Sequence, residues 1–434
     1  MEYNPVYRTH YASGLDSSMD GKEVRVAGWV HEVRDIGRVI FLLLRDHTGI
    51  VQITAKKGTV DDSILGMLSF PKESVISLRG ILKANSESKR GFEIIPQEVI
   101  NLNPLSSAIP FEVTGKVPAE LDVRLNNRHI DIRRLESTAI FNIQSTLLRS
   151  FRDLLIGEGF MEIRTPSLVK EATEGGTDLF KVDYFGETAY LAQSPQLYKQ
   201  LAVIGGLDRV LMIAPVFRAE KSNTTTHLNE ITQMDIEMGF ADHNDAIKLL
   251  GDVVSGMVSA VANSNKKDLE TLHASLKEGR AVVVTYSDAL KKLNEYGSKT
   301  EHGDDLSRED EIKLASIYGD MVIIKEYPTK VRAFYSMPSE RDPELSNSYD
   351  FIYKGIEIAS GAQRIHKAKL LEEALTKRGL SPAAFEFYIN AFRQGAPPHA
   401  GWSIGLERFT MRITGMENVR ECSLFPRDRN RLVP

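Results

Sequence analysis

Cysteine occurs once in these 434 residues, at Cys422, so no internal disulfide can form and no cysteine-rich zinc site can be built. No run approaches the roughly 18 apolar residues a membrane-spanning helix needs, and the opening MEYNPVYRTHYAS lacks the basic-then-apolar pattern of a secretory signal. A cytoplasmic protein is the expectation. A basic excess is missing too: the formal charge is −5, which excludes a general cationic coat, so any nucleic-acid partner must be met by placed residues. Internal repeats and low-complexity tracts are also absent.

What is present, 42% hydrophobic residues, supports a large core shared among roughly two to three domains. Between Lys22 and Leu102 the segments EVRVAGWVHEV, RVIFLLLRD, GIVQITA, SVISLRGILKA and FEIIPQEVINL alternate as strands. Ile64, Leu65 and Leu68 predict a short helix between the third and fourth, closed by Pro71. Five strands with a helix after the third is the layout of an all-β OB-fold barrel, expected over residues 1–104. Pro104, Pro110 and Pro118 mark 105–134 as a hinge. Residues 135–434 then read as an α+β domain, an antiparallel sheet flanked by helices, with a compact insertion over 241–345. Its first helix carries Ile140, Ile143, Leu147, Phe151 and Leu155 at helical spacing; Pro166 follows in a broken strand, and RAFYSM reads as a strand late in the insertion.

Charge gathers in the strand-like runs of VFRAEKSNTTTHLNEITQMDIEM. Alternation puts Gln233, Asp235 and Glu237 on one face and Met234, Ile236 and Met238 on the other. The polar face is either solvated or a site. A second hairpin, SYDFIYKGIEIASGAQRIH, turns at Lys354-Gly355, which pairs Ile352 with Glu357 and sets Asp350 diagonally across from Glu357. Two carboxylates on one face need a cation between them, for which Mg²⁺ suits oxygen ligands, unless Arg364 or Lys354 answers them. In GWSIGLERFTM, Gly401 and Gly405 permit close ligand approach and Arg408 offers a planar cation. The same letters match G-x-S-x-G, but His399, the last histidine, precedes Ser403, so the order of an α/β-hydrolase fails.

Pro166 after a long helix, FRAE with its acidic return strand, and GLER leading into a helix resemble motifs 1, 2 and 3 of the class II aminoacyl-tRNA synthetases. TGKVPAELDVRLNNRHIDIRR, ATEGGTDLF, AQSPQLYKQ, EIASGAQRIH and LFPRDRNRLVP extend the resemblance, across nearly the whole chain, to the archaeal and eukaryotic aspartyl-tRNA synthetases. No P-loop and no class I signature occurs. The resemblance implies a homodimeric, Mg²⁺-dependent enzyme taking ATP, L-aspartate and tRNA(Asp), and no membrane. It implies catalytic roles for Arg218, Glu220 and Arg408, and an ATP site of these three with Thr226, His227, Leu228, Glu357, Gly405, Leu406 and Glu407. Aspartate would meet Glu174, Ser194, Gln196, Lys199, Arg218, Asp235, Ser360 and Arg364; a metal would meet Glu357, Ser360 and Asp350. His31, Arg34, Phe41 and Gln52 would read the anticodon. Thr226 stands where relatives commonly carry Arg, with Lys221 a candidate replacement, and Ile231 stands where many carry Phe. Without the motifs around them, Phe41 could be barrel core and Lys199 a surface lysine. His31 stands where archaeal enzymes confined to tRNA(Asp) tend to carry Trp, which points to a relaxed enzyme that also charges tRNA(Asn); Lys89 points the other way. An asparagine-specific synthetase and a catalytically silent tRNA-binding paralogue are the alternatives.

Overall fold

The computed structural model describes residues 6–170, 179–221 and 223–434. The chain divides into two units, Met1–Leu135 and Glu136–Pro434.

In the first unit, strands β1 (Glu23–Asp35), β2 (Val39–Asp46), β3 (Gly49–Lys56), β4 (Val75–Ala84) and β5 (Phe92–Asn103) close a barrel in the order β1-β2-β3-β5-β4, with helix α1 (Asp62–Met67) after β3. Val26, Val30, Leu42, Leu44, Ile53, Leu78 and Ile94 fill it, the inward residues that the period-two pattern predicts. β1 and β2 slip register between Val30 and Glu32, a β-bulge that leaves His31 as the extra residue. The stretch expected to be a bare hinge holds helices α2 (Leu121–Asn126) and α3 (Arg128–Asp131) and a small cluster of Phe111, Val113 and Ile130. Its prolines stop at Pro118, and beyond them the buried Asp131 is held by Arg124 and Arg128.

The second unit opens with α4 (Leu135–Gly157). Its main sheet is formed by β6 (Met161–Glu162), β10 (Arg209–Phe217), β11 (Glu230–Gly239), β12 (Val282–Thr285), β13 (Met321–Lys325), β14 (Ser348–Tyr353), β15 (Ile356–Gln363) and β16 (His399–Gly405), in the order β12-β13-β14-β15-β16-β11-β10-β6. Within this sheet, among the described residues, only β6–β10 and β12–β13 pair in parallel. Strands β7 (Leu168–Val169), β8 (Lys181–Tyr184) and β9 (Glu187–Leu191) make a separate small sheet. Helix α5 (Gln196–Ala202) follows it, and α6 (His243–Ser264) and α7 (Lys266–Thr271) follow β11. α8 (Tyr286–Glu295) and α9 (Arg308–Tyr318) lie in the insertion; α10 (Ala368–Lys377), α11 (Glu386–Arg393) and α12 (Leu406–Thr414) close the unit.

Ile143, Leu147 and Phe151 of α4 and Leu250, Val254 and Met257 of α6 join Met234, Ile236, Phe351 and Trp402 of the sheet in one core. That core takes one face of β11 and leaves Gln233, Asp235 and Glu237 to the other. The insertion over 241–345 contributes to the main sheet, since β13 pairs with β14, and one expectation changes. RAFYSM is not a strand: it follows a short 3₁₀ turn at Thr329–Val331 and makes only isolated bridges such as Ser336 to Arg364. Among the described residues no helix is long and apolar enough to cross a membrane.

Candidate active site

β10 ends at Phe217, so Arg218 and Glu220 lie in the loop beyond it and not on paired strand. The loop is closed at its base by Arg218 N–H donating to Asn229 O (2.8 Å) and Asn229 Nδ2 donating to Arg218 O (2.6 Å). On the neighbouring hairpin, Lys354 and Gly355 take φ of 46° and 73°, the left-handed pair that a type I′ turn requires. Ile352 pairs with Glu357, as the turn predicts, but a bulge then sets Asp350 opposite Ser360. Two cavities open on this surface. The first is lined by Arg218, Glu220, Thr226, His227, Leu228, Glu357, Ser360, Gly405, Glu407 and Arg408, with Ile231; Leu406, expected with them, turns its side chain into the core. Lining the second are Ser194, Gln196, Lys199, Asp235, Arg364 and, from the insertion, Arg332. Arg218, Gln233, Ser360 and Ser403 border both. Glu174 lies outside the described residues. Lys221 lines neither cavity.

The polar face of β11 is not solvated: Asp235 and Glu237 are buried and each meets a cation. Lys199, fully buried on α5, donates from Nζ to Asp235 Oδ1 at 2.7 Å and stands 3.5 Å from Glu237 Oε2. Arg364 donates from Nε (3.0 Å) and Nη2 (3.2 Å) to Glu237. Burial raises the Glu237 carboxyl, but Arg364 and Lys199 outweigh it and hold it below the usual range. Gly401 leaves the room this needs, since a Cβ there would stand 2.3 Å from Glu237 Oε2.

Arg364 and Lys354 do not answer the Asp350–Glu357 pair. Lys354 Nζ donates to Ser275 O (2.9 Å); the cation on Asp350 is Arg332, which makes two bonds to it, one of 3.0 Å from Nη1 to Oδ1, and stacks on Tyr327. Glu357, beside Asp350 and in no ion pair among the described residues, is pushed up to about 8, by burial first and then by Asp350, which outweigh the charge of Arg408. Arg218 pairs with no carboxylate among the described residues. Burial, then Arg408, keep His227 neutral. Arg408 Nη2 donates to its Nε2 (3.2 Å), so Nδ1 carries the proton toward the Thr224 and Thr226 hydroxyls. Thr226 thus supports the histidine beside it and brings no charge.

On the barrel, Arg34 pairs with Phe41, Phe41 with Thr54 and Leu43 with Gln52, so Arg34, Phe41 and Gln52 share the outer face. Phe41 is half-buried and outside the core cluster. His31 accepts at Nδ1 from Arg45 Nη1 (2.9 Å), whose Nη2 donates to both oxygens of the buried Glu73 at 2.8 Å.

A family model described as class II tRNA synthetases (D, K and N) matches residues 120–429, and one for the OB-fold nucleic acid binding domain matches 24–102. The chain belongs to the class II tRNA synthetases of the D, K and N group. It is 47% identical over 430 residues, 98% of both chains, to the aspartate–tRNA(Asp/Asn) ligase of Methanocaldococcus jannaschii, and 46% identical at the same coverage to that of Methanothermobacter thermautotrophicus. Among solved structures it resembles the asparaginyl-tRNA synthetase of Pyrococcus horikoshii complexed with asparaginyl-adenylate, with TM-score 0.94 and 32% identity over 99% of this chain and 100% of that one. The aspartyl-tRNA synthetase of Entamoeba histolytica matches with TM-score 0.89 and 31% identity over 100% and 95%. Among the residues lining the second cavity, Arg332 is a charged one that sequence reasoning missed. Its one available signal was a basic residue within the otherwise apolar VRAFYSM, and nothing local says that a turn more than 15 positions before Asp350 returns to it.

Proposed function

We propose that the protein is an ATP-dependent aspartate–tRNA ligase, which joins aspartate to ATP as aspartyl-adenylate and passes the aspartyl group to tRNA(Asp), and to tRNA(Asn) as well. The observation that carries the choice of amino acid is the base of the second cavity. Lys199 and Arg364 converge there, and Arg364 spends Nε and Nη2 on Glu237 while Nη1 donates to no described residue. A charged donor left over in a buried cavity suits a side-chain carboxylate by a charge-assisted bond. Gln196 and Asp235, both buried, offer acceptors for the substrate ammonium, and Glu174 is assigned with them on the sequence alone.

In the first step the substrate carboxylate attacks the α-phosphorus of ATP in line, the bond to the β-phosphate breaks and pyrophosphate leaves; the protein's part is to position two anions and neutralise growing charge. Arg218 borders both cavities and pairs with no carboxylate among the described residues, which supports a role in touching the carboxylate and the α-phosphate together. Glu220 and Arg408 hold the nucleotide. In the second step a terminal ribose hydroxyl of the tRNA attacks the acyl carbon of the adenylate and AMP leaves, again mainly by positioning. For a metal, the residues that fit are Glu357 and Ser360. The carboxyl raised to about 8 makes no ion pair among the described residues, whereas Asp350 already has Arg332. Two oxygen ligands suit Mg²⁺, which keeps several of its waters. No cluster of three or more His, Cys, Asp or Glu among the described residues would hold a metal unaided. Bound there, Mg²⁺ would neutralise phosphate oxygens. The exposed Ile156 and Met161, at the end of α4 and in β6, support a homodimer through that surface, to be checked by sedimentation at micromolar concentration.

Pyrophosphate exchange into ATP, run with aspartate and asparagine side by side, tests the assignment. Exchange with aspartate alone is expected; equal exchange with asparagine sinks it.

A further inference from the structure

Behind the second cavity runs a buried polar chain of which only Gln196 has been given a role. Gln196 Nε2 donates to Gln200 Oε1 (3.0 Å), and Tyr388 Oη donates to the same oxygen (2.8 Å). Gln200 Nε2 meets His399 Nε2 at 2.8 Å, and His399 Nδ1 meets the Pro397 carbonyl at 2.8 Å. Gln196 is 4% exposed, and Gln200, Tyr388 and His399 are fully enclosed. Helix α5 makes the first link possible, since positions four apart share a face.

One end of this chain dictates the direction of every bond in it. A backbone carbonyl only accepts, so His399 Nδ1 carries the imidazole proton and Nε2 is left with a lone pair. Burial opposes a second proton more than Glu237 invites one. Gln200 must therefore turn its NH₂ to His399 and its carbonyl to Gln196 and Tyr388. Gln196 must turn its NH₂ to that carbonyl, which leaves its own Oε1, without a partner among the described residues, on the side chain that lines the cavity.

We propose that Gln200 and His399 are positioning residues for the amino acid: through them the Pro397 carbonyl orients the Gln196 amide so that it offers the substrate ammonium an acceptor. Left alone, a glutamine amide can present NH₂ as readily as oxygen, and NH₂ facing an ammonium repels it. The proposal rests on the reading of Gln196 as an ammonium contact.

The test is pyrophosphate exchange with Gln196→Ala, Gln200→Met and the double variant. Each single change should raise KM for aspartate roughly 10- to 100-fold, as expected for losing a bond to a charged group, with kcat and KM for ATP near those of the unaltered enzyme. The double variant should be no worse than Gln196→Ala alone. Inhibition by succinate, a dicarboxylate without the ammonium, should be unchanged by Gln200→Met. An unchanged KM in Gln196→Ala overturns the ammonium reading and the proposal together. A defect in Gln196→Ala with a silent Gln200→Met, with fully additive losses or with weakened succinate inhibition overturns the proposal and leaves the reading standing. Should Gln200→Met not fold, nitrogen-15 spectra of the unaltered protein decide: a proton on His399 Nδ1 is expected, and one on Nε2 overturns the polarity.

Discussion

Lys199 and Asp235 form an ion pair with side chains 0% and 1% exposed, and removing one member of such a pair leaves the other uncompensated at about 3–5 kcal/mol. Lys199→Met should therefore do two things at once: abolish aspartate-dependent exchange by two orders or more, and lower the urea unfolding free energy by about 3 kcal/mol. Adding Asp235→Asn should restore part of the stability and none of the exchange; a singly altered protein that is as stable as the original contradicts the pairing. Glu407 supplies a test by pH. It accepts from the Thr232 N–H (3.0 Å) and is pushed up to about 7 by burial. The folded state then holds a proton that the unfolded chain has released above about 4.3, so stability is full below that value and falls as pH rises to about 7, by on the order of 3 kcal/mol. Glu407→Gln should flatten the slope, and an unchanged slope in urea titrations from pH 4 to 8 counts against it. The motifs made Lys199 and Arg364 legible as a pair of cations. Asp235 was legible too, as a contact for the substrate; that Asp235 and Glu237 answer these two cations was not, because alternation says that two faces differ and not which of them is covered.

At the scale of elements, the loop after β10 owes its shape to a segment nearly 200 positions away. Arg420 donates to Thr224 O (3.0 Å), Asn223 Oδ1 (2.5 Å) and Asp428 Oδ2 (2.5 Å), while Val419 N–H donates to Thr225 O and Asn229 N–H to Arg427 O, each at 2.8 Å. Arg420→Ala removes three of these bonds and leaves the cavity walls in place. KM for ATP should rise about tenfold, the size of one or two net hydrogen bonds, with faster proteolysis within 221–229; a variant with unchanged KM for ATP shows that the loop holds without the clamp. LFPRDRNRLVP carried the family resemblance, but its contact with the loop could not be read from it, since no periodicity links segments so far apart. The β14–β15 hairpin is the opposite case. Lys354-Gly355 fixed the first pairs, and the sequence failed only at the bulge that moves Asp350 from a diagonal to face Ser360, because nothing in GIEIASG marks an extra residue.

For the whole molecule the division into two units separates two questions that a tRNA synthetase must answer: which amino acid it activates and which tRNA it charges. Exchange needs only the second unit's cavities, so changes on the barrel should alter tRNA choice and leave exchange untouched. His31 is where this can be measured. The sequence left open the tautomer of this ring; the structure fixes it, for Arg45 can only donate, Nδ1 must accept, and burial followed by Arg45 keeps the ring neutral. Nε2 therefore carries the proton, and His31 offers a donor. The anticodons for Asp and Asn differ at their third base, C against U. A lone donor directed at O2 finds an acceptor on both, since the two share that carbonyl, whereas demanding cytosine needs an acceptor for its amino group or a donor held against N3, which is N–H in uridine. Charging of the two transcripts by the unaltered enzyme should thus differ by less than about tenfold, and His31→Trp, which replaces this donor with a bulkier ring, should shift the ratio toward tRNA(Asp) with aspartate exchange unchanged. Lys89, exposed in the β4–β5 turn, could restore a preference, so Lys89→Ala belongs beside it. A hundredfold preference for tRNA(Asp) in the unaltered enzyme, about 2.7 kcal/mol, would mean that groups other than His31 read the cytosine edge, and the relaxed reading would fall.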